Sequence, residues 1–198
     1  MRVAMVSRRV HPAHGPGGLE RHVFDLVKQL ARRGVQVDLF TETPASRTRR
    51  LLADRALGDG ISTHWVTARR LPVGTRKGTI VVDRITNYPV WSRRVAGAVR
   101  EAGQARDWAV VHAHGLAGWG LARMRPQLST PLVVTTHGLE EFRSNTRLKH
   151  WAYAPFRAGI RTVDVGNPML SMHSCREMAG TADVAPMIEV LRSSLTGG

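Results

Sequence analysis

Apolar positions change period along this chain, and the changes mark out its elements. Val3, Ala4, Met5 and Val6 form a short continuous apolar run, as in a strand covered on both faces. A loop ending in Gly15-Pro16-Gly17-Gly18 follows. Val23, Leu26, Val27 and Leu30 then recur at three- and four-residue spacing, so one stripe of a helix faces the core while Glu20, Arg21, Lys28, Arg32 and Arg33 fall off it. Gly34 supplies the left-handed residue that ends such a helix. Beyond it Val35, Val37 and Leu39 alternate with Gln36 and Asp38, which predicts a strand. Strand, glycine loop, helix and strand in that order imply a right-handed parallel crossover.

The same reading predicts a helix over residues 51–57 closed by Gly58 and Gly60, a strand over 61–66, and a helix over 92–103 with Val95, Ala98 and Val99 as its apolar face. A strand over 109–113, a small-residue helix over 116–124 stopped by Pro126, and a buried strand over 131–136 come next. A helical region from residue 139 carries Trp151, Tyr153 and Phe156, and a helix over 171–178 and a strand over 188–191 close the chain. Such alternation predicts an α/β fold, a Rossmann-like doubly wound parallel sheet. The 198 residues fit one domain over 1–198.

Candidate chemistry collects at the predicted strand ends. Gly17 and Gly18 sit where the first free amides of a helix point outward, an arrangement that favours an anion such as phosphate; the alternative is a tight turn that only connects strand to helix. A dinucleotide fingerprint would start its glycines directly after the strand. Here Ser7 to His14 intervene, which argues against an NAD-type site, although Glu42 near the end of the second strand keeps that option open. Alternation puts His112 and His114 on one face of their strand, at the carboxyl end where α/β sheets bind ligands. With no Asp, Glu or Cys close in sequence as a third ligand, no metal is expected. His137 ends the next strand, and a neutral imidazole there suits orienting a hydroxyl; the alternative is a histidine satisfied by neighbouring backbone. Glu140 and Glu141 fall in a first helical turn favoured by the helix dipole and are read as structural.

Charge and cysteine content narrow the classes. A net charge of +14 suggests an anionic partner, but 26 of the 29 basic residues are Arg, a compositional preference that discounts the argument. No nucleic-acid partner is expected, since aromatics are 6% of the chain and no recognition-helix, zinc or RNA-binding motif occurs. Between residues 44 and 106 there are 13 Arg and Lys against four Asp and Glu. Within that stretch Arg69, Arg70, Arg76 and Lys77 surround an apolar turn and are candidates for contact with an acidic membrane surface. The lone Cys175 excludes an intrachain disulfide. Without a leader or an apolar run of the roughly 20 residues that span a bilayer, the expected location is the cytoplasm, with a peripheral position on the inner membrane face as the variant of that expectation.

The segments 1–6, Gly17-Gly18-Leu19-Glu20-Arg21-His22-Val23, Leu30-Ala31-Arg32-Arg33-Gly34, Val110-Val111-His112-Ala113-His114-Gly115 and 131–138 together resemble the amino-terminal domain of family 4 glycosyltransferases. Those are retaining enzymes with two facing nucleotide-fold domains, the GT-B arrangement. The resemblance implies the acceptor-side half of such an enzyme, with His137 beside the transferred sugar and Gly17, Gly18, His112, His114 and Gly138 lining the substrate cleft. It also implies a nucleotide-sugar donor, held mainly by a second domain with a paired-glutamate motif that this chain lacks. The acceptor would be a sugar, a lipid-linked molecule or a small molecule. A hexosyl group would pass to an acceptor hydroxyl with retention, without a cofactor and without a required metal, and the isolated chain would turn over little. Members acting on lipid-linked acceptors dock on membranes through a basic, apolar surface. Two alternatives remain: a non-catalytic nucleotide-fold module binding anionic partners or membrane through its basic face, and a small enzyme with a complete nucleotide site. Residues 161–168 and Arg192-Ser193-Ser194 depart from the family pattern, which expects a buried strand and a Pro-Asn-Gly turn there.

Overall fold

Side-chain alternation along the first strand sorts the core into two layers. In a computed structural model, which describes residues 1–68, 82–83, 86–124, 127–135, 137, 169–170 and 178–179, Val3 and Met5 pack with Val23, Val27, Ala53 and Leu57. Ala4 and Val6 face the other way, onto Trp91, Val95, Val99 and Leu121. The strands are β1 (Arg2–Val6), β2 (Gln36–Glu42), β3 (Ile61–Val66), β4 (Val110–His114) and β5 (Leu132–Thr135). They form one sheet in the order β3-β2-β1-β4-β5, with each neighbouring pair parallel. Helices α1 (Gly18–Arg32) and α2 (Arg47–Leu57) cover the first layer; α3 (Asn87–Gly103) and α4 (Gly118–Arg123) cover the second. The expected doubly wound α/β sheet is therefore present. Its order reverses between β1 and β4, the place where such sheets open a crevice.

Local differences from the sequence reading have identifiable causes. Gly34 takes a φ of 77° just past α1, as expected of its end. Helix α2 begins at Arg47 rather than residue 51 because Ser46 caps it, its Oγ accepting the Arg49 amide at 3.4 Å. Helix α3 begins at Asn87 rather than 92, with Pro89 in the first turn where no amide is needed. Its buried stripe is Ser92, Val95, Ala96 and Val99, with Ala98 only partly covered; the polar Ser92 disguised the pattern. Strand β2 is covered on both faces from Val37 to Glu42, including Asp38 at 2% exposure. Asp38 tolerates this by accepting from Trp108 Nε1 at 2.7 Å, with His64 at 3.1 Å and Arg2 and Arg106 each at 3.7 Å.

The expected helix over 116–124 splits into a 3-10 turn, Gly115–Ala117, and α4. Two glycines let α4 approach its neighbours. A Cβ on Gly118 would lie 2.8 Å from Val134, and one on Gly120 would strike the Ser92 carbonyl oxygen. Among the described residues no helix is long and apolar enough to cross a membrane.

The chain divides into two compact units, Met1–Ile160 and Arg161–Gly198. In the second, β6 (Met169–Leu170) pairs antiparallel with β7 (Met178–Ala179). Met178 thus lies in a strand rather than at the end of a helix, because its backbone pairs with Leu170. The expected helical region from 139, Pro126 and the strand over 188–191 lie outside the described residues.

The α3–α4 contact predicts an asymmetry between two glycines. Gly120→Ala should cost about 1–3 kcal/mol in chemical denaturation, since the obstructing atoms are backbone. Gly97→Ala, which meets nothing within 4 Å in the middle of α3, should be neutral or stabilising by roughly 0.5–1 kcal/mol.

Candidate functional site

Register carries the site's side chains to one place. Met5 of β1 pairs with His112 of β4, and His114 pairs with Thr135 of β5. Met5 faces α1, so His112 and His114 face it too. Their ring centroids are 4.4 Å apart. His112 Nε2 lies 2.7 Å from Thr135 Oγ1. His114 is fully buried, with Nε2 2.9 Å from Met5 Sδ and Nδ1 2.6 Å from His137 Nε2. Gly115 follows at once with a φ of 59°, bending the chain away from the sheet. The exposed His22, in the second turn of α1, closes the group: its ring is 4.9 Å from His137 and 5.8 Å from His114. His22, His114 and His137 each bring one ring nitrogen within 4.8 Å of the others.

Hydrogen-bond chemistry fixes the protons. A thioether only accepts, so His114 Nε2 carries the hydrogen that meets Met5 Sδ. Burial, with the neighbouring His112, His137 and His22 adding to it, pushes His114 down to about 2, so its Nδ1 is a bare acceptor at neutral pH. His137 Nε2 is then the donor in the 2.6 Å bond. Burial of the ring edge, reinforced by His22 and His112, lowers His137 to about 4, although the residue as a whole is exposed. A neutral His137 with its proton on Nε2 turns a bare Nδ1 to other partners. His112 is likewise lowered, by burial and by His22.

A second construction braces the neighbouring loops. Arg8, 3% exposed and just past β1, donates from Nε to Glu42 at 3.0 Å and from Nη1 and Nη2 to Asp83 at 2.7 and 3.2 Å. Its guanidinium also lies 4.7 Å from the centre of the Tyr88 ring. Burial would lower the Arg8 pKa, yet Asp83 and Glu42 raise it. Burial would raise Asp83, yet hydrogen bonds from Arg8 and Asn87 hold it below the usual carboxylate range. Glu42, which kept a dinucleotide site open in the sequence, is thus 2% exposed and paired to Arg8.

The sequence-predicted residues fare unevenly. His112, His114 and His137 come together, on the strand ends where they were expected. Gly17 and Gly18 head the helix that delivers His22. A Cβ on Gly18 would meet nothing within 4 Å, whereas Gly17 has the Glu20 carboxylate over it. Gly138, Arg69, Arg70, Arg76, Lys77, Glu140 and Glu141 lie outside the described residues. His22 and Arg8 were missed. For His22 the signal was its place four residues after Gly18 and beside the buried Val23. A groove of about 850 Å³ lies elsewhere, between β3 and α3, lined by Trp65, Arg93, Arg94 and Arg100; it contains none of these imidazoles.

A five-stranded parallel sheet in this order, with imidazoles gathered at the β1/β4 reversal, is a Rossmann-like nucleotide fold. The Glycosyltransferase Family 4 model matches residues 16–165, and the chain belongs to that family. It is 34% identical over 156 residues to a D-inositol 3-phosphate glycosyltransferase of Mycobacteroides abscessus, covering 73% of this chain and 32% of the relative. A protein of the same name from Rhodococcus erythropolis is 29% identical over 201 residues, 96% of this chain and 41% of the relative. The chain therefore spans roughly a third to two fifths of the length of these relatives. Among solved structures, UGT2 of Phytolacca americana complexed with UDP-2fluoro-glucose and pterostilbene shares the fold, with a TM-score of 0.50 and 15% identity over 68% of this chain and 30% of that one. A second model, Aminopeptidase I zinc metalloprotease (M18), matches residues 152–194. The chain is also 76% identical over 25 residues to aspartyl aminopeptidase 1 of Schizosaccharomyces pombe, covering 13% of this chain and 5% of that protein. Residues 161–168 and 192–194, where the sequence departs from the expected glycosyltransferase pattern, lie within this second match, and the family 4 match reaches residue 165.

Two outcomes follow from the electrostatics. Arg8→Met should destabilise the protein by about 3–5 kcal/mol in denaturant titration, because it removes the buried cation that pairs with Glu42 and Asp83. The imidazoles set a pH dependence. Below the ordinary value of 6.5 the unfolded chain takes up protons that His114 and His137 refuse until about 2 and about 4. More protons on the unfolded state mean that stability is full above 6.5 and falls as pH is lowered toward 4. Melting temperatures at pH 7.5 and 5, with a chelator present, should show this fall, and His114→Phe should flatten it.

Proposed function

We propose that the chain forms the acceptor side of a glycosyltransferase that moves a hexosyl group from a nucleotide sugar to an acceptor hydroxyl, with retention and without a required metal. The observation that carries this reading is the hydrogen-bond relay from Met5 through His114 to His137. It leaves His137 Nδ1 neutral and able to accept a hydroxyl proton in a hydrogen bond. Such a group orients a sugar without itself carrying charge, and its low pKa makes it a poor store of protons at neutral pH. His112 and His22 would add contacts to neighbouring hydroxyls.

The head of α1 supports an anionic acceptor. Gly18 leaves open space beside the first free amides of α1, whose dipole favours a phosphate. The Glu20 carboxylate now lies over Gly17 at this terminus and would have to swing aside. Relatives named for D-inositol 3-phosphate make a phosphorylated cyclic polyol the acceptor class we assign. The donor would be held mainly by a further domain, as in other GT-B proteins.

Calorimetry on this chain tests the assignment. Inositol 3-phosphate should bind measurably while UDP- and GDP-sugars bind negligibly. His137→Ala should weaken acceptor binding at least tenfold, and Gly17→Val with Gly18→Val should abolish it while circular dichroism stays unchanged. Tight donor binding with no acceptor binding would instead indicate a complete nucleotide site and overturn the assignment.

A further inference from the structure

The sequence argued against a metal because no third ligand lies near His112 and His114. The fold supplies one from far upstream, since α1 lays His22 against His114 and His137. We propose that these three residues bind one divalent transition-metal ion of the zinc or cobalt type, through one ring nitrogen each.

Geometry and donor chemistry point to this class of ion. Zinc–imidazole bonds of 2.0–2.1 Å in a tetrahedral set place the ligand nitrogens about 3.3 Å apart. The three nitrogens here lie within 4.8 Å of one another, and the closest pair, on His114 and His137, is at 2.6 Å. Shifts of roughly 1 Å or less per ring, set against those bond lengths, would complete the site. His114 is suited to anchor it: its Nε2–H is held by Met5 Sδ, which orients the ring and leaves Nδ1 as the ligand atom. His137 must move its own proton from Nε2 to Nδ1 to expose a lone pair inward, and the ring stays neutral throughout. His22 and His137 are exposed, so remaining coordination positions face solvent and would hold water. Three nitrogen donors suit zinc, cobalt, nickel or copper, whereas magnesium and calcium require oxygen. The proposal needs only the three rings and stands independently of the glycosyl-transfer reading. An ion at this point would nevertheless compete with a sugar for His137.

The test uses the untagged 198-residue chain, stripped with a chelator and titrated with Co²⁺ while visible absorption is recorded. One equivalent should develop d–d bands of a low-coordinate nitrogen site, which Zn²⁺ displaces and Mg²⁺ does not. His22→Gln and His137→Gln should each weaken binding at least tenfold; both residues are exposed, so circular dichroism should confirm an unchanged fold. His64→Gln, on the opposite face of the sheet beside Phe40, should bind as the parent does. Absence of the bands in the parent, or equal affinity in the His22→Gln/His137→Gln double variant, would overturn the proposal. Neither result depends on a sugar ligand, so loss of the metal site and loss of the transferase assignment are read separately.

Discussion

Desolvation of a single imidazole governs the crevice. His114 is fully buried, so water cannot support its charged form, and the ring must satisfy its two nitrogens within the protein. Met5, an acceptor only, takes the hydrogen of one nitrogen and thereby determines what the other can offer. His137 inherits the opposite role across a 2.6 Å bond, and its remaining nitrogen inherits the role after that. A thioether in β1 thus sets the hydrogen-bonding sense of a side chain beyond β5. This chain of dependence needs β1, β4 and β5 in their observed register. A slip of one residue in β4 would turn both histidines toward Trp91 and Val95 instead of α1.

The rim beside this crevice is held by a different kind of force. Arg8 ties the segment after β1 to the end of β2 and to Asp83 through three charge-assisted hydrogen bonds. These ends are loops by position, and loops are normally the mobile part of an α/β sheet. One buried cation converts them into a braced rim, while burial keeps His114 and His137 neutral. The two devices do not compete, because the guanidinium pairs with carboxylates and the imidazoles pair with each other.

Much of the fold was legible because its helices and strands carry their period in apolar residues. The α1 stripe of Val23 and Val27 and the run from Val3 to Val6 are both core, as read. The reading faltered where polar residues do core work. Asp38 sits buried inside β2, Ser92 blurred the stripe of α3, and Ser46 began a helix four residues ahead of its first leucine. For the site, alternation correctly paired His112 with His114. The fourth imidazole, His22, was illegible for a topological reason: linear distance hides a neighbour when a crossover helix returns over the sheet. The final segment is a separate matter, since residues 152–194 also match a second family model and the family 4 model ends at residue 165.

Gly115 has a bearing on how this site can evolve. It takes a φ of 59° between the buried His114 and the buried Leu116, and any residue with a side chain would strain the backbone at that step. The hinge behind the imidazole is consequently closed to gradual substitution, and insertions there would displace the ring that the relay depends on. Diversification toward new ligands must enter from the opposite lip, through the head of α1 and the segment following β5. The β4 side is thus the wall of the crevice that its backbone leaves least room to alter.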